Sequence, residues 1–272
     1  MRPPRRDIAI PEFPPSVEWI NARFVRLGTL LGQNVVLVWF WDYCSLNSLR
    51  ALPYLTEWDR RYADAGLRTI GVHSPQFDFG RERDNVLDAV ERLGIPFPVA
   101  PDTDYLIWRE YGNEVWPALY LWDRKGVLRY YHFAEGAYEE SEQAIQELLL
   151  EIHDDLPLPR PVAPLRESDR TGALVEIPTP HRYLEENRSG RPVSPGDELS
   201  VEYAGAGAAA VLDGRGAVEV LIDGRAIRWL ELEGPRLYEL FDSPGHERHE
   251  LTLRFEAPAV AYMFSFAPGI SL

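Results

Sequence analysis

The chain has 272 residues, enough for two modest domains or one large one, and 45% of them are hydrophobic, as in globular proteins with a sizeable core. Its 28 basic and 43 acidic residues give a formal net charge of −15, which argues against binding to nucleic acid or to an anionic membrane surface. The single cysteine excludes any disulfide within the chain.

The sequence carries no signal for membrane insertion or secretion. No apolar stretch approaches the roughly 20 residues that cross a bilayer. The first residues are basic, and no apolar run of the kind found in secretory signal peptides follows them. We therefore expect a cytoplasmic protein, or one whose leader has been removed.

The first half of the chain alternates between strand and helix patterns. The continuous apolar run Val35–Trp41 predicts a strand that is buried on both faces of a sheet. From Leu46 to Tyr62, leucines and aromatic residues recur at helical spacing and predict a helix. The later predicted elements are a strand at 69–72, a helix at 83–93, an extended stretch at 95–99, a short helix at 102–111, strands at 118–122 and 127–132, and a helix at 138–153. This order predicts an α/β fold with a central sheet and helices on both faces.

The second half of the chain has a different pattern. Residues 154–177 are rich in proline and show little periodicity, which is typical of a linker. Beyond them, apolar and polar residues alternate in short runs that glycine-containing turns separate. The predicted strands are 199–203, 208–213, 217–222, 227–232, 237–241, 249–255 and 259–266. This spacing predicts a small all-β sandwich of the jelly-roll kind, so the predicted domains are 1–153 and 178–272, with the linker 154–177 between them.

Three separated blocks of the first half resemble the thioredoxin-like domains of TlpA/DipZ-type thiol-disulfide interchange proteins and of NHL-repeat-containing proteins. The blocks are Phe40-Trp41-Asp42-Tyr43, Gly71-Val72-His73-Ser74-Pro75 and Trp116-Pro117-Ala118-Leu119. In the second half, Val220-Leu221-Ile222-Asp223-Gly224 resembles part of the carbohydrate-binding-module-like sandwich that follows thioredoxin in DipZ-type proteins. The resemblance implies a thioredoxin-like fold, membership of a thiol-disulfide oxidoreductase family, and a cis proline that faces the active-site turn.

The resemblance places serines where the family has its two active-site cysteines. The family's Cys-x-x-Cys falls on Ser45 and Ser48, and Cys44 precedes it by one residue. A dithiol oxidoreductase needs a thiolate at a helix N-terminus, where the pKa of the thiol is lowered, and a second thiol three residues later. A serine hydroxyl stays protonated and is a poor nucleophile. We therefore interpret Ser45 as the N-cap of the helix and Ser48 as a small inward-facing residue.

Cys44 and His73 leave alternatives open. Cys44 is either a small buried residue at the turn or the nucleophile of a single-thiol reductase or peroxidase, which would need an exposed thiol. His73 ends the strand that is predicted to lie beside 35–41, so we expect it near Cys44 and Ser45 at one edge of the sheet. A His–Cys or His–Ser pair is one interpretation, and a structural histidine is the other, which we favour.

The residues that the resemblance implies for substrate docking, Trp41, Trp116 and Pro117, are all present. The first hypothesis is therefore a thioredoxin-fold protein without dithiol activity that binds a protein or peptide partner. The alternatives are a single-thiol enzyme that uses Cys44, and a protein that binds a saccharide through its second domain. A homodimer is compatible with the sequence. One cysteine and six scattered histidines show no metal-ligand spacing, so we expect neither a metal nor another cofactor.

Overall fold

A computed structural model of the chain describes residues 1–3 and 8–271. It divides into two compact units, Met1–Leu165 and Arg166–Leu272. The division falls inside the stretch predicted as a linker, so residues 154–165 belong to the first unit and residues 166–177 to the second. Within the described residues, no helix combines the length and the apolarity that crossing a bilayer requires.

The first unit joins strands and helices in the alternating order that the sequence predicts. Its strands are β1 (Val35–Trp41), β2 (Leu67–His73), β3 (Val99–Pro101), β4 (Ala118–Trp122) and β5 (Leu128–Phe133). Its α-helices are α1 (Leu27–Leu30), α2 (Leu46–Tyr62), α3 (Arg83–Arg92), α4 (Leu106–Glu110) and α5 (Tyr138–Leu150).

The five strands form one sheet in the order β3-β2-β1-β4-β5. β1 runs parallel to β2 and antiparallel to β4, while β3 extends the sheet parallel to β2 and β5 extends it antiparallel to β4. All seven residues of β1 are buried, because this strand has neighbours on both sides and is covered on both faces. The predicted α/β fold is therefore confirmed, with the continuous apolar run at the centre of the sheet.

The helix predicted at 102–111 is shorter in the structure. Tyr105, immediately before α4, has a left-handed backbone with φ of 58°, which a continuing helix does not allow. The helix predicted at 138–153 likewise ends at Leu150.

The second unit is all-β, as predicted. Its strands are β6 (Val175–Glu176), β7 (Arg182–Tyr183), β8 (Arg191–Val193), β9 (Glu198–Ile222), β10 (Arg225–Glu233), β11 (Arg236–Phe255), β12 (Ala259–Ala267) and β13 (Gly269–Ile270). β9 is the central strand of this unit, because β10, β11 and β12 all pair with it. Side chains from β9, β10, β11 and β12 form the hydrophobic core of this unit.

The prediction of seven short strands is wrong in its boundaries. The three segments from 199 to 222 are one long strand, β9, and the two segments from 237 to 255 are one strand, β11. Val201 and Ile222 lie near the two ends of β9, and Leu251 of β11 pairs with both of them, so β9 is strongly bent. Gly216 allows the bend, since its φ is 123° and a Cβ there would lie 2.5 Å from that of Ala257.

Candidate functional site

The turn between β1 and α2 is closed by the two serines. Ser45 is the N-cap of α2, with extended backbone angles, and its Oγ accepts a hydrogen bond from the Ser48 amide at 3.3 Å. The Oγ of Ser48 accepts one from the Asp42 amide at 3.4 Å. Ser45 is 7% exposed and Ser48 is fully buried. Both hydroxyls therefore have a structural role in holding the start of the helix.

Asp42 ties this turn to the end of β2, a role that sequence reasoning missed. Its Oδ1 accepts a hydrogen bond from the Cys44 amide at 2.6 Å, and its Oδ2 accepts one from the Gln76 amide at 3.0 Å. The same Oδ2 lies 3.4 Å from Nε2 of His73. A buried carboxylate is stable only with such partners, so Asp42 joins the two loops that follow neighbouring parallel strands. The acidic residue directly after the apolar strand is the sequence feature from which this role could have been predicted.

His73 lies at the edge where the sequence predicts it, since it pairs with Trp41 in the parallel register of β1 and β2. Its ring is fully buried, stacks on Tyr43 with centroids 5.1 Å apart, and contacts Trp41 edge to face. Within the described residues, neither of its ring nitrogens makes a hydrogen bond, and the polar group facing Nε2 is the Asp42 carboxylate. These contacts favour the structural interpretation of this histidine.

Cys44 is 1% exposed. This is the opposite of the exposed thiol that a single-cysteine reductase or peroxidase needs, because a buried sulfur is out of reach of a disulfide or peroxide substrate. The neighbouring phenol of Tyr43 is buried as well, and burial raises its pKa above the ordinary range. The environment of Cys44 is therefore that of a core residue.

The expectation that Trp41 docks a substrate needs correction. Its side chain is fully buried and stacks on Trp39 with ring centroids 5.2 Å apart. A Cβ added at Gly71 would lie 3.1 Å from Trp41 Nε1, so the indole fills space above that glycine in the neighbouring strand. Trp41 packs the core beneath the turn and has no surface on which a partner could bind.

Trp116 reaches the surface of the site, whereas Pro117, the other residue predicted to dock a substrate, is buried. The peptide bond between them is cis. The Trp116 side chain is half-buried, and its Nε1 donates a hydrogen bond to the carbonyl oxygen of Ser74 at 2.9 Å. The carbonyl oxygen of Pro117 accepts one from the Ala134 amide at 2.9 Å. The two predicted docking residues are thereby held against the loop that follows β2 and the loop that follows β5.

Trp116 is one member of a half-buried cluster, the aromatic wall, which consists of Tyr105, Trp108 and Trp116. The Trp108 and Trp116 rings lie 4.5 Å apart, and Tyr105 lies 5.6 Å from Trp108. The Tyr105 hydroxyl donates a hydrogen bond to the carbonyl oxygen of Pro75. Sequence reasoning missed Tyr105 and Trp108, although an aromatic pair at i and i+3 near a short helix was a usable signal.

Asp102 positions the start of α4 and, with it, Trp108 of the aromatic wall. Its carboxylate accepts hydrogen bonds from the amides of Ile107 and Trp108 at 2.9 and 2.8 Å and from the Ser74 hydroxyl at 3.1 Å. Burial raises the pKa of Asp102, and these hydrogen bonds oppose the rise by favouring the charged form. The carboxylate thus caps the amides that open α4 and fixes the position of Trp108.

A small cavity of about 20 Å³, the size of one water molecule, lies behind Pro117 between the sheet and helices α2 and α5. Trp39, Trp58 and His132 contribute to its lining. Within the described part of the chain, the indole nitrogens of these two tryptophans and Nε2 of His132 have no hydrogen-bond partner. Burial lowers the pKa of His132, so its imidazole is neutral at pH 7.

The second unit has a polar pocket of about 420 Å³. His249 lines it, with Nδ1 2.8 Å from Asp223 Oδ2 and Nε2 3.2 Å from Glu247 Oε2. Tyr203 lines the pocket, and its hydroxyl has no hydrogen-bond partner among the described residues. Saccharide binding by this unit stays a prediction. Within the described ranges, no group of His, Cys, Asp and Glu side chains is arranged to hold a metal ion.

Comparisons with known proteins place the chain among thioredoxin-like proteins. The chain is 38% identical over 146 residues to the protein DipZ of Mycobacterium tuberculosis. The matched region makes up 53% of the chain and 21% of DipZ. It is 25% identical over 142 residues to the thiol-disulfide oxidoreductase YkuV of Bacillus subtilis, which covers 52% of the chain and 95% of YkuV. Among solved structures, the chain is similar to a thioredoxin-like protein in its oxidized form, with 23% sequence identity and a TM-score of 0.46. The superposed region makes up 55% of the chain and 97% of that protein.

No family model matches the chain. The chain spans about a fifth of the length of DipZ, so the activity of the whole DipZ protein is not transferred to it. Over about half of its length, the chain is therefore similar to DipZ and to thiol-disulfide oxidoreductases with a thioredoxin-like fold.

Proposed function

We propose that the protein is a thioredoxin-fold binding protein that lacks dithiol oxidoreductase activity and docks an extended peptide at Trp116. The observation that carries the proposal is the structural use of both serines, since Ser45 caps α2 and Ser48 accepts the Asp42 amide. The only sulfhydryl of the chain, Cys44, is buried beside them. A disulfide substrate would therefore meet hydroxyls that do not ionise instead of a thiolate.

The surroundings of Trp116 support the binding part of the proposal. Within the described residues, neither its backbone amide nor its carbonyl oxygen makes a hydrogen bond, although most such groups in folded proteins are paired. An extended peptide that lies beside Trp116 would satisfy both groups in the manner of strand addition. The aromatic wall next to it offers ring surface for one side chain of that peptide.

Reduction of insulin by dithiothreitol tests the redox part. We expect the unchanged protein and the Cys44→Ser variant to leave the uncatalysed rate unaltered. The double variant Ser45→Cys/Ser48→Cys restores the Cys-x-x-Cys at the start of α2 and should accelerate the reaction, because the helix dipole then acts on a thiol.

Comparison of the unchanged protein, Cys44→Ser and the double variant distinguishes the outcomes. Catalysis by the unchanged protein would overturn the proposal, and its loss in Cys44→Ser would assign the activity to Cys44. A folded double variant without activity would count against a surviving substrate-docking surface at Trp116 and Pro117.

A further inference from the structure

Residues 156–165, which the sequence assigns to a linker, belong to the first unit and are held on its helices α2 and α5 by hydrogen bonds. We call them the proline segment. Gln146 Nε2 donates to the carbonyl oxygen of Pro159 at 3.0 Å, and Arg61 Nη1 donates to that of Arg160 at 2.8 Å. In the other direction, the Val162 amide donates to Glu142 Oε2 at 2.8 Å. The Leu165 amide donates to the Tyr54 hydroxyl at 2.7 Å.

The side chains that hold the proline segment come from helices α2 and α5. We call them the segment-binding groove, which consists of Tyr54, Arg61, Tyr62, Glu142 and Gln146. Glu142 is almost fully buried, and its Oε1 accepts a hydrogen bond from the Tyr62 hydroxyl at 2.6 Å. Gln146 donates to the same hydroxyl at 2.7 Å. This network holds Glu142 and Gln146 in place for the segment, so the binding groups are pre-organised.

The groove recognises the main chain of the segment. All four hydrogen bonds end on backbone amides or carbonyl oxygens, and none ends on a side chain of the segment. The apolar side chains Leu156, Leu158 and Val162 are half-buried, whereas the prolines between them are exposed. Each proline disfavours helical backbone at the residue before it, so the segment is stiff and extended before it binds. The hydrogen bonds therefore recognise the backbone of the segment.

We propose that the segment-binding groove is a binding site for extended, proline-containing peptides, and that the proline segment is its resident occupant. The ligand chemistry is defined by the contacts: two carbonyl acceptors in succession, followed by two backbone N–H donors three residues apart. The groove is built from helix side chains and uses neither the aromatic wall nor the serines. It is therefore independent of the function proposed at Trp116.

A peptide added in trans tests the proposal on the full chain. The resident occupant is removed by replacing residues 156–165 with a Gly/Ser stretch of equal length, and a fluorescently labelled peptide of residues 156–165 is titrated by anisotropy. We expect saturable binding to the replaced chain. Binding to the unchanged chain should be at least about ten-fold weaker, because the resident segment competes at a high effective concentration.

Two matched controls identify the contacts. In the replaced chain, Tyr54→Phe removes the acceptor for the Leu165 amide and keeps the ring that stacks on Tyr138, so we expect binding about two- to ten-fold weaker. The same peptide methylated on the nitrogens of Val162 and Leu165 lacks both donors and should not bind.

The proposal is overturned if the labelled peptide fails to bind a replaced chain that is folded by circular dichroism, or if the N-methylated peptide binds equally well. Hydrogen exchange on the unchanged chain gives a second measurement should the replaced chain not fold. The Val162 and Leu165 amides should exchange more slowly than that of Ala163, which makes no hydrogen bond within the described part of the chain. Equal exchange at the three positions would show that the groove does not hold the segment.

Discussion

Oxygen and sulfur differ in acidity and in hydrogen bonding, and both differences matter at Ser45 and Ser48. A cysteine at a helix N-terminus ionises readily because the helix dipole stabilises the thiolate, whereas a hydroxyl in the same place keeps its proton. The hydroxyl is the better acceptor for a backbone amide, and each serine accepts one here. The two serines therefore stabilise the turn by hydrogen bonds that their hydroxyls accept.

His132 gives the stability of the fold a pH dependence. Burial lowers the pKa of its imidazole, so below about pH 6.5 the unfolded chain takes up a proton that the folded chain does not. The contribution of His132 to the free energy of unfolding is therefore complete above that pH and is lost as the pH falls further. We expect His132→Gln to flatten the decrease between about pH 7 and pH 5, measured by urea unfolding at each pH.

The control for this experiment is His153→Gln, which removes an exposed imidazole just after α5. A decrease that both variants flatten to the same extent would contradict the assignment to His132, since a surface histidine lacks the burial that drives the effect.

The N-terminus of α2 depends on its cap. Ser45 is the residue whose side chain accepts a helix amide there, so Ser45→Ala leaves the Ser48 amide without that acceptor. We expect a loss of about 1 kcal/mol in the free energy of unfolding, measured by urea titration. Ser45→Thr retains the hydroxyl and should lose much less. A Ser45→Ala variant as stable as the unchanged protein would refute the capping role.

Strand boundaries in the second unit show where local patterns mislead. Glycine-containing turn signals end strands at Asp223-Gly224 and at Gly234, as expected. The signal at Asp213-Gly214 does not end β9, because both residues stay paired with β12, Asp213 with Val260 and Gly214 with Ala259, and the strand bends close by at Gly216. A glycine permits both a turn and a bend, and the choice depends on which strand lies alongside.

At the scale of the whole molecule, the stability of the first unit depends on whether residues 154–165 are included. A chain that ends at His153 lacks the proline segment and leaves Oε2 of the buried Glu142 without the Val162 amide. We expect it to unfold with a free energy about 1 to 3 kcal/mol lower than that of a chain ending at Leu165, measured by urea titration. In the longer chain, Tyr54→Phe should remove part of the difference. Equal stability of the two truncated chains would mean that the segment contributes nothing.

The sequence by itself determined the alternating elements of the first unit, the all-β character of the second and the serines at positions 45 and 48. The apolar run of β1, the helical spacing of α2, the alternation in the second half and the two serines are local patterns, and local patterns report secondary structure and residue type. Only the tertiary structure decided that Trp41 has no exposed surface for docking, that Asp42 bridges to Gln76, and that residues 156–165 dock on α2 and α5. These facts depend on contacts between residues 20 or more positions apart, such as Val162 with Glu142, which no local pattern records.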